Sequence, residues 1–333
     1  MVLMWPLEIL YIMVVSIRNT YYDTYYKAPN KDILPITISV GNLSAGGTGK
    51  TPVCLFIYDL LKPIYKSAIL LRGYTDQSGE VSDEALIYQK HIGKENVYVG
   101  SERLISIDKA IQNNVQLVIL DDAFQHRKVF RHLNIVLIDM SKPPNKDKCF
   151  PRGFLREPMS SLKRADWLVL SRCNLVSNED LNIMISEISK KFSHIKILKS
   201  QVEMSDLKCV HSELSSIKNT EFLLVCGIGN PDNFKQSVAK ENLKIKNQLI
   251  FKDHHSYSER DILLISKELQ KNNIKAILTT EKDWVKLSQL NIDFPVVVFE
   301  IKTNMMDLYN NSIGNNLINT IKTKMHNIKT HAN

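Results

Sequence analysis

The stretch Val40–Pro52 reads "VGNLSAGGTGKTP", and the fold turns on how it is read. Gly49-Lys50-Thr51 has the form in which a phosphate-cradling loop ends, but Ser44 stands where the G-x-x-x-x-G-K-[ST] pattern has glycine. Upstream, Ile36–Val40 ("ITISV") is a short β-branched run that reads as a parallel strand. Downstream, Val53–Leu61 ("VCLFIYDLL") reads as a buried helix, and Pro52 suits its first turn, where N–H groups have no internal partner. Strand, glycine loop and helix therefore fall in the required order. In this reading Gly46, Gly47 and Gly49 let the backbone wrap a phosphate, Lys50 reaches the outer phosphates and the Thr51 hydroxyl holds magnesium. The competing reading is a glycine-rich turn without a ligand.

Outward from the loop, apolar β-rich runs alternate with helical patterns: residues 67–71, 97–99, 117–120, 134–139, 167–171 and 195–198. Such alternation predicts an α/β fold with a P-loop NTPase-like, mostly parallel sheet. A second series at 222–229, 247–251, 276–280 and 296–300 predicts a second, smaller α/β domain. Between the series, 200–220 is polar without a 3.6-residue period and is expected to be the hinge. The expected organisation is a membrane-associating segment (1–27), a P-loop domain (28–199), the hinge, the smaller domain (221–318) and a basic, Asn-rich tail (319–333).

At 333 residues with 44% hydrophobic and 23% charged residues, the composition is that of a soluble chain large enough for two cores. The net charge of +8 points to an anionic partner without choosing among nucleic acid, an acidic membrane surface and a phosphorylated substrate. Five scattered cysteines with no C-x-x-C pair argue against a disulfide framework or zinc site and for a reducing cytoplasm. The N-terminus is apolar through Ile17 apart from Glu8, too short to span a bilayer, and lacks the basic leader and cleavage site of a signal peptide. It reads either as a helix packed on the protein or as an interfacial anchor, with Trp5 and the Tyr21–Tyr26 cluster at headgroup level and Arg18 and Lys27 near lipid phosphates.

Phosphoryl transfer needs a carboxylate for the metal, a base and cationic clamps. In "VQLVILDDAFQHR", Asp121 and Asp122 end an apolar strand, where a P-loop sheet presents its magnesium carboxylate; the alternative is a helix cap. In "VSDEALIY", Ser82, Asp83 and Glu84, taken alone, read more simply as residues that cap and charge the first turn of a helix than as part of a site. "KDHHSYSERDILLI" offers a capping box in Ser258 and Asp261, with Asp253, His254 and His255 upstream, where a histidine beside an aspartate is either an oriented base or a surface pair. "FPRGFLREP" carries Arg152 and Arg156, suited to phosphate or to a solvated loop.

Together, "SVGNLSAGGTGKTPV", "LLRGY", "SDEA", "LDDAFQHRKVFRHLNIVLID", "PRGFLREP", "GIGNPDNF", "DHHSY" and "TTEKDWVKL" resemble, in order and over nearly the whole chain, the tetraacyldisaccharide 4'-kinase family of lipid A biosynthesis. The resemblance accounts for Ser44, since that family's loop carries a small polar residue there. It implies a two-domain enzyme whose N-terminal helix attaches to the inner membrane of a Gram-negative bacterium, peripherally and on the cytoplasmic face. It implies ATP and Mg2+ as cofactors and a lipid A disaccharide 1-phosphate precursor as acceptor, with neither nucleic acid nor a protein partner required. By the same resemblance Asp83 is the catalytic carboxylate and His254 its partner from the second domain. Glu84, Asp121 and Asp122 are the acidic set around magnesium with Thr51. Gln125 and His126 support the site, and Arg72 and Arg156 face phosphates. Thr75, Arg152 and Phe154 depart from the family's habit and bear on the substrate pocket. The other functional class is a P-loop switch or partitioning-type ATPase. A GTPase-like N-K-x-D is absent, and "TEKDW" at Thr280–Trp284 does not fit it.

Overall fold

The computed structural model describes residues 4–29, 35–73, 82–211, 214 and 216–331. Tyr74 and Thr75, which end the "LLRGY" motif and follow it, lie outside the described residues, as do parts of the expected hinge (212, 213 and 215). The chain divides into two compact units, one of Met1–Tyr74, His91–Val202 and Thr303–Asn333, the other of Thr75–Lys90 with Glu203–Lys302.

The first unit is built on parallel strands in the order β3 (Val97–Val99), β2 (Ser67–Leu71), β4 (Leu117–Asp121), β1 (Ile36–Asn42), β5 (Leu133–Asp139), β6 (Trp167–Ser171) and β7 (Lys196–His211, its first residues). β1, β2, β4, β5 and β6 are buried at every position, which is why they read as continuous apolar runs rather than alternating ones. After β1 the chain crosses to β2 on one side, and after β4 it passes to β5 on the other, so the order reverses beside β1. Ligands of open α/β sheets bind at such a reversal, outside the carboxyl ends of the strands. The glycine loop leaves β1 there and Asp121 closes β4 there.

Helix α1 (Trp5–Thr24) docks on this unit through polar side chains. Glu8 accepts from the Cys149 backbone N–H and pairs with Arg152 at 2.6 Å. Tyr11 donates to the Arg156 carbonyl, and Arg18 and Asn19 donate to the buried Glu157, which also pairs with Arg164. The outer stripe of Leu7, Leu10, Val14, Ile17 and Tyr21 is exposed. Among the described residues no helix is long and apolar enough to cross a membrane.

In the second unit β11 (Val296–Met306), β10 (Ala276–Thr280), β8 (Glu221–Cys226) and β9 (Lys244–Ile250) are parallel neighbours. One apolar cluster joins Leu223, Val225, Ile277 and Val298 to Ile265 and Leu269 of α7 (Glu259–Lys271). Another joins Phe222, Leu224 and Val297 to Phe234 and Val238 of α6 (Pro231–Lys240). The predicted capping box is present: Ser258 takes the N3 backbone N–H while Asp261 takes that of Ser258. Helix α3 (Asp83–Ile92) starts with Ser82 accepting the Ala85 N–H at 3.4 Å, so the capping reading of Ser82 holds. Residues 75–90, including Asp83 and Glu84, are grouped with this unit.

Three segments differ from their sequence reading, the first being residues 75–90, expected in the P-loop domain but grouped with the second unit. The stretch expected as a hinge is largely the second half of β7, whose outward residues are mostly polar while Met204, Leu207 and Cys209 pack on the second unit's core. The expected basic tail belongs to α9 (Gly314–His331), whose Leu317, Ile321, Met325 and Ile328 are buried and which packs on α2 (Lys50–Leu61) and β1.

Candidate functional site

The glycine loop adopts the geometry that its residues permit. Gly46 (φ 104°) and Gly49 (φ 90°) occupy left-handed backbone that a side chain would strain, and a Cβ at either would meet nothing within 4 Å. The space that side chains at these positions would take is thus open. Gly49 caps α2, so the loop runs directly into a helix N-terminus, with its unpaired N–H groups and partial positive charge.

Neighbours clamp the loop from both flanks. Ala45 N donates to the Phe154 carbonyl at 2.7 Å, Ser44 bridges to Leu155, and Arg156 N donates to the Leu43 carbonyl at 2.8 Å. On the other flank Ser171 donates to the Thr48 carbonyl at 2.9 Å and Arg172 to the Gly47 carbonyl at 2.8 Å, while Arg172 also pairs with Asp139. Asn42, at the end of β1, donates to the Thr48 hydroxyl at 2.8 Å.

The acidic pair follows β4. Lys50 Nζ lies 3.5 Å from Asp122 Oδ1, and Arg156 Nη1 lies 2.9 Å from both Asp122 oxygens. Burial would raise the Asp122 pKa, but Lys50 and Arg156 outweigh it and hold the carboxyl below its usual range. Asp122 sits at φ 48°, sparsely populated for a non-glycine residue, and its carbonyl and that of Asp121 are held by the buried Arg103. Gln125 donates to the Asn42 carbonyl at 3.0 Å. His126 is pushed down to about 4, chiefly by burial and then by Arg103, Lys128, Arg131 and Arg72. Arg72 is exposed just past the carboxyl end of β2. Arg152 pairs with Glu8, and Phe154 is exposed.

The residues present suit a magnesium ion. Asn42 Oδ1 and Gln125 Oε1 are buried acceptors with no hydrogen-bond partner; Asn42 ends β1, Asp121 ends the neighbouring β4 with Asp122 next, and Thr51 lies in the first turn of α2. Hard oxygen donors of this kind are what magnesium takes, usually one or two carboxylates plus phosphate oxygens. No group of three or more His, Cys, Asp or Glu able to hold a metal occurs among the described residues.

In the second unit Asp83, Glu84 and His254 come together. His254 Nδ1 is 3.3 Å from Asp83 Oδ2, and Lys282 Nζ is 3.3 Å from His254 Nε2 and 3.4 Å from Glu84 Oε1. An ammonium only donates, so in the neutral ring His254 Nε2 accepts from Lys282 and Nδ1 carries the proton towards Asp83. Burial would raise the Asp83 pKa; the hydrogen bond from His254 and the charges of Lys286 and Lys282 reverse this and lower it. The Asp83 bond in turn raises that of His254. His254 stands at φ 58°, its N–H donating to the Gly227 carbonyl at 3.2 Å, so the turn forces the ring's position at the expense of backbone comfort. His255, by contrast, bonds the capping Asp261 at 3.2 Å.

Sequence reasoning gave no role to Arg103, Asn42, Arg172, Lys282 or Lys286. The two lysines lie in "TTEKDWVKL", where a spacing of four on α8 (Glu281–Leu287) is the signal that puts them on one face.

Comparison with known proteins adds three findings. The family model described as tetraacyldisaccharide-1-P 4'-kinase (LpxK) matches residues 1–320. A tetraacyldisaccharide 4'-kinase of Halothermothrix orenii is 32% identical over 86% of this chain and 83% of that protein, and one of Cytophaga hutchinsonii is 32% identical over 97% and 95%. Among solved structures, the LpxK of Aquifex aeolicus in complex with ATP aligns over 98% of both chains at 28% identity, with a TM-score of 0.70.

Proposed function

Because the chain belongs to the tetraacyldisaccharide-1-P 4'-kinase family, we propose a division of labour among its residues for moving the ATP γ-phosphate to the 4'-hydroxyl of tetraacyldisaccharide 1-phosphate. The enzyme is an ATP-dependent kinase of lipid A biosynthesis, and its product is lipid IVA. The observation that carries the reading is the open glycine loop between β1 and α2 with Lys50 beside the Asp122 carboxylate.

Residues Ser44–Thr51 form the loop around the phosphates, offering backbone N–H groups other than those of Ala45 and Thr48, which are bonded to the Phe154 and Gly46 carbonyls, and Lys50 and Arg156 bear on the transferring oxygens. Thr51, Asp121 and Asp122 would hold Mg2+, which when bound supplies charge neutralisation to the phosphate oxygens, while Glu84, also read as part of the acidic set, pairs with Lys282 in the second unit. Asn42 and Gln125 fix the end of β1 against the loop, and His126, kept neutral by burial, adds no charge to a site already rich in arginine. Asp83 accepts the proton of the 4'-hydroxyl. His254, held through Nδ1, orients that carboxylate. Arg72 faces phosphate at the end of β2.

The acceptor is a membrane lipid, and the exposed apolar stripe of α1 with a net charge of +8 suits peripheral attachment to the cytoplasmic face of the inner membrane. Purified protein, radiolabelled ATP and the tetraacyldisaccharide 1-phosphate test the reading by transfer of label to the lipid. ATP hydrolysis indifferent to the lipid would favour a switch ATPase instead.

A further inference from the structure

Helix α8 presents two lysines, one turn apart, to the carboxylate just given the proton-accepting role. Lys286 Nζ lies 3.1 Å from Asp83 Oδ2 and donates to the His255 carbonyl at 2.8 Å, while the Tyr257 ring centroid lies 5.5 Å away. Its side chain is 13% exposed, as is that of Asp83. Such a lysine is held on three sides and is not a solvated surface charge. Lys282 is more open, 23% exposed, and reaches Asp83 Oδ2 only at 4.0 Å while serving Glu84, Asp253 and His254.

The base of α8 is itself fixed. Thr280 caps the helix by accepting from Asp283 N, and the fully buried Asp283 accepts from Gly227 N at 2.9 Å and from the Tyr257 hydroxyl at 3.0 Å. Gly227 also holds His254 through its carbonyl. A single buried carboxylate therefore ties together the helix that carries Lys286, the ring beside the ammonium and the turn that carries His254.

We propose that Lys286 is the positioning residue of the Asp83–His254 pair, pinning Oδ2 of Asp83 so that Oδ1 is the oxygen that takes the acceptor's proton. The proposal rests on the role given to Asp83 above. His254 and Lys286 both bond Oδ2, so the carboxylate is fixed at one oxygen from two directions. Without the ammonium, the carboxylate keeps one tether and is free to rotate about it. Misplacement of a reacting group by an ångström typically costs about a hundredfold in rate.

The test is steady-state kinetics of Lys286→Met, Lys286→Ala, Lys286→Arg and Lys282→Met with ATP and the lipid acceptor. Lys286→Met is expected to lose about 10–100-fold in kcat with KM for ATP within about twofold, the usual range for a residue acting through its neighbour. Lys282→Met should lose less. Lys286→Arg should recover part of the rate, and n-propylammonium should raise the rate of Lys286→Ala where n-propanol at equal concentration does not. In an Asp83→Asn background Lys286→Met should cost little more, since groups acting as a unit are not additive. Full activity in Lys286→Met, fully additive losses, or failure of both Arg and propylammonium to restore rate overturns the proposal. Asp83→Asn serves as the reference: if it is inactive while Lys286→Met is normal, only the lysine's role falls. If Asp83→Asn is itself fully active, the reading of Asp83 falls and this proposal with it.

Discussion

Lys50 faces Asp122 across 3.5 Å, and Arg156 covers both oxygens of the same carboxylate. Replacing Lys50 by Ala should therefore leave the fold largely intact, because Arg156 still neutralises Asp122, but remove a cation from the transferring phosphate. We expect a loss of about 10²–10³-fold in kcat, the range for deleting one preorganised charge-stabilising group, with the melting temperature nearly unchanged. Near-normal kinase turnover would remove Lys50 from the phosphate. His126 makes a different prediction. Its folded pKa of about 4 lies below the usual 6.5, so the unfolded chain binds more protons between these values and stability falls as pH drops from about 6.5 towards 4. His254 shifts the other way, so its contribution is present at low pH and declines as pH rises through its raised value. His126→Gln should flatten the fall in melting temperature between pH 6.5 and 4.5. An unaltered slope would show that the ring does not titrate as buried.

At the scale of elements, one face of helix α1 packs on the first unit, as the packed-helix reading of the N-terminus has it, and the opposite face is exposed. Glu8, Tyr11, Arg18 and Asn19 hold it to the first unit, while Leu10, Val14 and Ile17 stand 55%, 57% and 64% exposed. Changing these three to Gln keeps helix propensity and removes no core contact, so the melting temperature should move little. Co-sedimentation with anionic vesicles and turnover of the lipid acceptor should fall together, while ATP affinity stays. Unchanged vesicle binding would sink the anchor reading of the outer stripe. The elements that the sequence made legible were those whose pattern is strong locally: the wholly apolar β1 and β4, the glycine loop and the capping box of α7. The second half of β7 and helix α9 were not, for a common reason. Each shows polar Lys, Asn or Asp residues on its exposed face, and the apolar half of the pattern (Met204, Leu207 and Cys209 in one, Leu317, Ile321 and Met325 in the other) is sparse enough to pass for linker or tail. At the site, Asp121, Asp122 and Lys50 were legible from a motif, whereas Lys286 and Asp83 are 203 residues apart and no local pattern announces their meeting.

At the scale of the whole molecule, neither unit is continuous in sequence: the second takes residues 75–90, and the first is completed only by residues 303–333. Helix α9, in that last segment, packs on α2, the helix whose first residue is Lys50. This connectivity has a consequence in time. At about 5–20 residues per second of synthesis, the hundred residues of 203–302 separate the first unit's main body from its final helix by about 5–20 s. A growing chain thus holds a complete glycine loop long before the back of α2 is covered, and ATP capture should wait for the closing segment. Chains arrested at residue 302 should bind a fluorescent ATP analogue weakly and be cut readily by protease near α2, and a peptide of residues 303–331 added in trans should restore both properties. Tight binding by the arrested chain would mean that the loop matures without its backing, and that the order of emergence from the ribosome leaves no mark on when this kinase becomes competent.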